Sequence, residues 1–217
     1  MKNIKIGDLN SYVIEPEEGA KNIVVLLHGY GASGRDLIGI GDEWKNALPN
    51  TIFISPDAPF PCEMAPAGLQ WYSLNEYTIP AMEREIVGAW PVLNQYLDAV
   101  LKHYGLGDDK MIISGFSQGC MMSLYALPRR KNACAGILGY SGRLLGASAL
   151  NGANKTTPIY LIHGEADDVV DRGSWDDATE TLETRGYKVS GYTTPRLGHG
   201  IDGDGIANGL KFIQSCF

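Results

Sequence analysis

Ser117 stands in Gly115-Phe116-Ser117-Gln118-Gly119, where the apolar run Met111-Ile112-Ile113 gives way to the helix-like run Met121-Met122-Ser123-Leu124-Tyr125-Ala126-Leu127. A serine on a sharp turn between a strand and a helix projects its hydroxyl out of the sheet, and flanking glycines leave room for the crossing backbone. Such a turn presents a nucleophile. In a chain with 27 glycines the pentapeptide is weak by itself, so the rest of the site must carry the reading.

A serine hydroxyl is a poor nucleophile at neutral pH. It needs a general base within hydrogen-bond reach and an acid that orients that base. On doubly wound sheets with this turn the three follow in the chain order serine, acid, histidine. Of the four histidines only His199, in Leu197-Gly198-His199-Gly200, lies beyond the acidic loop, and it is the expected base. His28 and His163 each end a strand-like run and precede glycine; both are read as structural, their rings bonding nearby backbone. His103, in a polar helical stretch, is read as a surface residue. The acid belongs on His163-Gly164-Glu165-Ala166-Asp167-Asp168-Val169-Val170. Asp167 is preferred and Asp168 is the alternative, because the sequence does not say which neighbour turns inward.

A tetrahedral intermediate needs two backbone N–H donors aimed at its oxyanion. Gln118, directly after the serine, would supply one. Tyr30, in the loop His28-Gly29-Tyr30-Gly31-Ala32-Ser33-Gly34, would supply the other. That loop lacks the lysine and spacing of a phosphate-binding loop. Asp202-Gly203-Asp204-Gly205 opens like a calcium loop, but Ile213 stands where the closing acid belongs, so it reads as a helix N-terminus. The chemistry calls for no metal or organic cofactor.

These residues need a scaffold, and the chain alternates short β-like runs with longer amphipathic ones. That pattern marks an α/β fold with a mostly parallel central sheet flanked by helices. Strands are expected at 22–28, 51–55, 111–114, 136–140, 158–163 and 188–194, with antiparallel strand material from 4–14 at one edge. Helices are expected at about 35–47, 80–104, 118–130, 173–185 and 203–215. The segment 56–80, with five prolines and Trp71-Tyr72, is too long for an ordinary connection and reads as a binding loop. Met64, Leu69 and Trp71 are expected to wall a substrate cleft from it.

The 217 residues suit one domain spanning 1–217. A composition 44% hydrophobic and 20% charged is that of a globular chain, and a net charge of −7 gives no general attraction to nucleic acid or anionic lipid. The four cysteines, Cys62, Cys120, Cys134 and Cys216, form no C-x-x-C pair or metal-ligand cluster, and free thiols in a reducing compartment are expected. Without a stretch apolar enough for a signal peptide or a membrane span, the expectation is a cytoplasmic protein with no integral membrane association.

The motifs Leu27-His28-Gly29-Tyr30-Gly31, Pro56-Asp57-Ala58-Pro59, Gln70-Trp71-Tyr72, Gly115-Phe116-Ser117-Gln118-Gly119, Tyr140-Ser141-Gly142, His163-Gly164-Glu165-Ala166-Asp167 and Gly198-His199-Gly200-Ile201 occur in this order over nearly the whole chain. Together they resemble the phospholipase/carboxylesterase family of α/β hydrolases, which includes bacterial carboxylesterases and acyl-protein thioesterases. The resemblance implies an α/β-hydrolase fold without a large lid domain, a Ser117, Asp167, His199 triad, and oxyanion donors at Tyr30 and Gln118. It further implies a carboxylesterase acting on short to medium acyl esters or thioesters through an acyl-enzyme, with a lysophospholipase or a long-chain acyl-protein thioesterase as the alternative. A catalytically inactive binding protein is the minor alternative. The expected partner is a small-molecule or lipid ester, and family folds of this kind also form homodimers. Tyr30 replaces a leucine common in the family, Cys120 replaces a common glycine, and the 56–80 segment differs from the thioesterase form.

Overall fold

The computed structural model describes residues 1–126, 129–150 and 155–217. An eight-stranded sheet forms the middle layer. Its strands are β1 (Lys2–Ile6), β2 (Leu9–Ile14), β3 (Asn22–Leu27), β4 (Thr51–Pro56), β7 (Met111–Phe116), β8 (Gly136–Tyr140), β9 (Ile159–Gly164) and β10 (Val189–Thr194), in the order β1-β2-β4-β3-β7-β8-β9-β10. β1 and β2 form an antiparallel hairpin, and β2 also runs antiparallel to β4; from β4 to β10 every pairing is parallel. The expected edge position of 4–14 and the expected central strands are therefore found, with β7 two residues longer than the sequence suggests.

Alternation along the strands divides the core in two. Val25 and Leu27 of β3 face α3 (Ile79–Tyr104), α4 (Gln118–Ala126) and α5 (Gly173–Thr184), whereas Val24 and Leu26 face the layer containing Trp44, Phe212 and Ile213. Strands buried on both faces must be apolar at successive positions, as Ile23–Leu27 of β3 and Met111–Ile113 of β7 are. On the second face lie α1 (Gly34–Leu37), α2 (Gly39–Trp44) and α6 (Gly203–Cys216). The helix expected at 35–47 is thus two short helices. Gly39 and Gly41 are weak helix formers, and the Gly41 N–H closes a tighter turn on the Ile38 carbonyl at 2.9 Å. Of the helix expected at 118–130, residues 118–126 are α4, and 127–128 lie outside the described residues.

α3 begins on Thr78, whose hydroxyl accepts the Ala81 N–H, and ends at Gly105 in the left-handed conformation. Asp202 caps α6 by accepting the Gly205 N–H at 2.7 Å. The segment before α3 is not structureless: β5 (Phe60–Pro61) and β6 (Leu69–Gln70) form a small antiparallel pair within it.

The strand order places β3 beside β7. From β3 the chain moves to β4 on one side, and from β7 it moves to β8, β9 and β10 on the other. The loops leaving the carboxyl ends of β3 and β7 therefore diverge, and a crevice opens between them at this switch point. Both loops singled out by the sequence, 28–34 and 115–119, emerge there.

Candidate active site

Ser117 joins β7 to α4 with φ at +54°, a left-handed conformation that a non-glycine residue adopts at a cost of about 1 to 3 kcal/mol. Its N–H is held by the Tyr140 carbonyl at 2.9 Å. The turn is tight enough to dictate its flanks. A β-carbon on Gly115 would lie 2.3 Å from the Gly119 backbone, and one on Gly119 would lie 1.9 Å from the Leu27 carbonyl oxygen. The glycines are thus required by crossing backbone.

Ser117 Oγ lies 2.9 Å from His199 Nε2, and His199 Nδ1 lies 2.8 Å from Asp167 Oδ2. A carboxylate only accepts, so Nδ1 carries the proton and Nε2 is the acceptor for the serine hydroxyl. Residues 82 and 32 positions apart in sequence meet in one hydrogen-bond chain. The Phe116 ring packs against the His199 ring with centroids 4.8 Å apart.

Asp167 is 7% exposed and Asp168 is exposed, which separates the two neighbours. Asp167 Oδ1 accepts the N–H groups of Val169 and Val170, both at 2.9 Å. Burial pushes its carboxyl pKa up, but the His199 bond and the two amide donors outweigh burial and hold it below the ordinary carboxylate value.

Tyr30 and Gln118 both line the crevice, and among the described residues neither backbone N–H has a hydrogen-bond partner. The Gln118 side chain has a separate task. Its Oε1 accepts the Trp71 N–H and its Nε2 donates to the Tyr72 carbonyl, each at 2.8 Å, clamping the long loop to the start of α4.

A cleft of about 360 Å³ opens over Ser117 and His199. Its walls are largely apolar: Tyr30, Leu74, Tyr77, Met121 and Val169, with Met64, 80% exposed, at the mouth. Of the three residues expected to wall a substrate cleft, Met64 lies along this one, whereas Trp71 and Leu69 do not line it. Trp71 is 0% exposed, and its indole N–H donates to the His28 carbonyl at 3.0 Å beneath the 28–34 loop. Leu69 pairs with that loop through its backbone, accepting from Gly31 and donating to Ala32 at 2.9 Å each. An aromatic residue in a proline-rich loop reads as a ligand wall, but here its area is spent on supporting the neighbouring loop.

Tyr77, Leu74 and Val169 carry no motif and escape sequence reading. Met121 had a signal, one helical turn after Ser117 on the same face of α4. His28 is structural, as expected: its Nδ1 donates to the Gly29 carbonyl at 2.7 Å and its Nε2 accepts from the Ala58 N–H at 3.0 Å. Burial pushes the Cys120 thiol pKa up to about 12, leaving it protonated and unreactive one turn from the serine.

The sequence profile described as Phospholipase/Carboxylesterase matches residues 9–217. Acyl-protein thioesterase 1 of Schizosaccharomyces pombe is 35% identical over 173 residues, covering 75% of each chain. Esterase YpfH of Escherichia coli is 28% identical over 202 residues, covering 93% of this chain and 86% of its own. Among solved structures, esterase PE8 superposes with a TM-score of 0.92 at 34% identity, covering 96% of this chain and 99% of its own. A family match over residues 9–217, together with this likeness in sequence and fold, shows that the chain belongs to the phospholipase/carboxylesterase family of α/β hydrolases.

Proposed function

We propose that the chain is a serine carboxylesterase whose catalytic triad is Ser117, Asp167 and His199, acting on short to medium acyl esters or thioesters. The observation that carries this reading is the hydrogen-bond chain from Ser117 Oγ through His199 to Asp167. Ser117 Oγ attacks the acyl carbonyl carbon as His199 Nε2 takes its proton. The Tyr30 and Gln118 N–H groups receive the oxyanion. The tetrahedral intermediate collapses, His199 returns the proton to the departing alcohol or thiol, and an acyl-enzyme remains. Water, deprotonated by the same nitrogen, then releases the acid and restores the serine. Asp167 orients the imidazole and stabilises its cation throughout.

The cleft volume supports the smaller substrates, since about 360 Å³ is near the lower end of the roughly 300 to 1,000 Å³ of small-molecule sites. A second reading, cleavage of long-chain thioesters or lysophospholipids, draws support from the exposed apolar mouth at Met64, Tyr77 and Val169 and from relatives named acyl-protein thioesterases.

Hydrolysis of p-nitrophenyl esters from acetate to palmitate, with Ser117→Ala at every length, tests both. The proposal expects serine-dependent turnover that peaks at short or medium chains. Rates rising to palmitate favour the second reading. Wild-type turnover retained by Ser117→Ala, or no turnover at all, rejects the catalytic assignment.

A further inference from the structure

His163 ends β9 four residues before Asp167, and it is 1% exposed. Its Nε2 lies 2.8 Å from the Val170 carbonyl oxygen. A carbonyl only accepts, so this nitrogen carries a proton. The same nitrogen lies 3.3 Å from Asp167 Oδ2, the oxygen that accepts from His199 Nδ1. Two imidazoles therefore face one buried carboxylate, His199 from the loop before α6 and His163 from β9.

We propose that His163 is a positioning residue for the catalytic acid, holding Asp167 and the turn that cages it in the orientation His199 requires. The inference rests on the triad assigned above. An aspartate side chain has two torsions, and with its carboxylate shut away from solvent it has only protein donors to hold it. Oδ1 is fixed by the Val169 and Val170 N–H groups, and Oδ2 by His199 with His163 behind it.

Val170 is gripped at both ends of its backbone: its N–H goes to Asp167 and its carbonyl receives the His163 N–H. Asp168 and Val169 are exposed on the outer side of this turn, where the Tyr77 hydroxyl donates to the Val169 carbonyl at 2.8 Å, and His163 anchors the inner side at Val170. Without His163 the Val170 carbonyl loses a buried donor, the turn relaxes, and the two amides that fix Oδ1 move with it. The 3.3 Å approach to Asp167 is a close contact and the bond to Val170 is the directed one, so the loss of His163 costs geometry more than charge.

The test compares His163→Leu, which fills similar space without a donor, with His163→Gln, whose side-chain amide reaches about as far as Nε2. Turnover of a short p-nitrophenyl ester is measured per site labelled by a fluorophosphonate, and folding is checked by circular dichroism. His163→Leu is expected to lower kcat about 10- to 100-fold, because a small misplacement of a catalytic group is expensive, with KM within about twofold. His163→Gln recovers most of that loss. The far-downfield proton resonance of His199 Nδ1–H broadens or disappears in His163→Leu and persists in His163→Gln.

Folded His163→Leu with wild-type kcat and an intact resonance would overturn the inference and leave His163 as core filler. If His163→Leu does not fold, His163→Asn replaces it, since its shorter amide cannot span both acceptors; equal kcat in the Asn and Gln variants overturns the inference just as well. A wild-type chain that neither hydrolyses ester nor takes the label removes the triad reading and this inference together, whereas an active, labelled wild type beside unaffected variants removes the inference alone.

Discussion

At the scale of single residues, the catalytic proposal rests on three side chains brought together from far apart in the sequence. Ser117→Ala or His199→Ala is expected to lower kcat by about 10⁴- to 10⁶-fold, and Asp167→Ala by about 10⁴-fold, with the double variants little worse than the worst single one because the three act as a unit. Steady-state kinetics of the three single variants and one double variant check this. Asp167 adds a pH-linked stability. Its folded carboxyl lies below the ordinary value, so the stabilisation is complete above about pH 4 and is lost as pH falls through the lowered value. Urea unfolding of the wild type should weaken more steeply than that of Asp167→Asn as pH drops from about 6 to 3. Equal slopes would mean that the carboxylate gains nothing on folding. Ser117 and His199 were legible in the sequence because a glycine-flanked serine and a lone histidine beyond the acidic loop leave little choice. Asp167 against Asp168 was not, since identical neighbours differ only in which one the turn buries. His163 was legible as a backbone-bonded histidine, but its approach to Asp167 depends on the fold of a turn whose shape four-residue spacing does not fix.

At the scale of elements, the parallel strands were readable because strands buried on both faces need unbroken apolar runs, and 23–27 and 111–113 supply them. The 35–47 segment carried enough apolar positions to suggest one helix, yet two glycines divide it. The function of Trp71 was hidden for a different reason. Its partners, the His28 carbonyl and the Gln118 side chain, are 43 and 47 residues away, and no local pattern encodes them. Trp71 and Gln118 couple the long loop, the 28–34 loop and α4, so Trp71→Ala should act on fold and chemistry together. Emptying so large a fully buried site is expected to cost about 3 to 5 kcal/mol of stability. It should also lower kcat in the fraction that stays folded, as the Tyr30 N–H loses its support. Chemical denaturation and turnover per fluorophosphonate-labelled site separate the two effects. Loss of stability with unchanged turnover per labelled site would show that the indole supports the fold without supporting the 28–34 loop.

At the scale of the whole molecule, the topology makes the crevice and the long loop makes its shape. Divergence of the loops after β3 and β7 exposes Ser117 between them, and residues between β4 and α3 come back over this opening to contribute Met64, Leu74 and Tyr77 to the cleft walls. Tyr77 closes the circuit by donating its hydroxyl to the Val169 carbonyl at 2.8 Å, joining the long loop to the turn that holds Asp167. Tyr30, also lining the cleft, donates its hydroxyl to Glu63 of the same long loop at 3.2 Å. Tyr30 therefore has two parts in the proposed site, a backbone N–H assigned to the oxyanion and a side chain at the cleft wall. Each methylene buried there is worth about 0.8 kcal/mol, or roughly fourfold in kcat/KM. Wild-type kcat/KM should rise by about that factor per carbon and level off once the cleft is full. Tyr30→Leu keeps the backbone N–H, removes the hydroxyl bond to Glu63, which still accepts the Leu74 N–H, and shortens the wall. Its plateau is expected at longer acyl chains, with the rate on acetate within about threefold of wild type because the reacting groups are untouched. The p-nitrophenyl ester series measured on both chains decides it: a coincident plateau would place the limit on chain length elsewhere in the cleft, and loss of the acetate rate would mean that the ring is needed to hold the Tyr30 N–H toward the oxyanion.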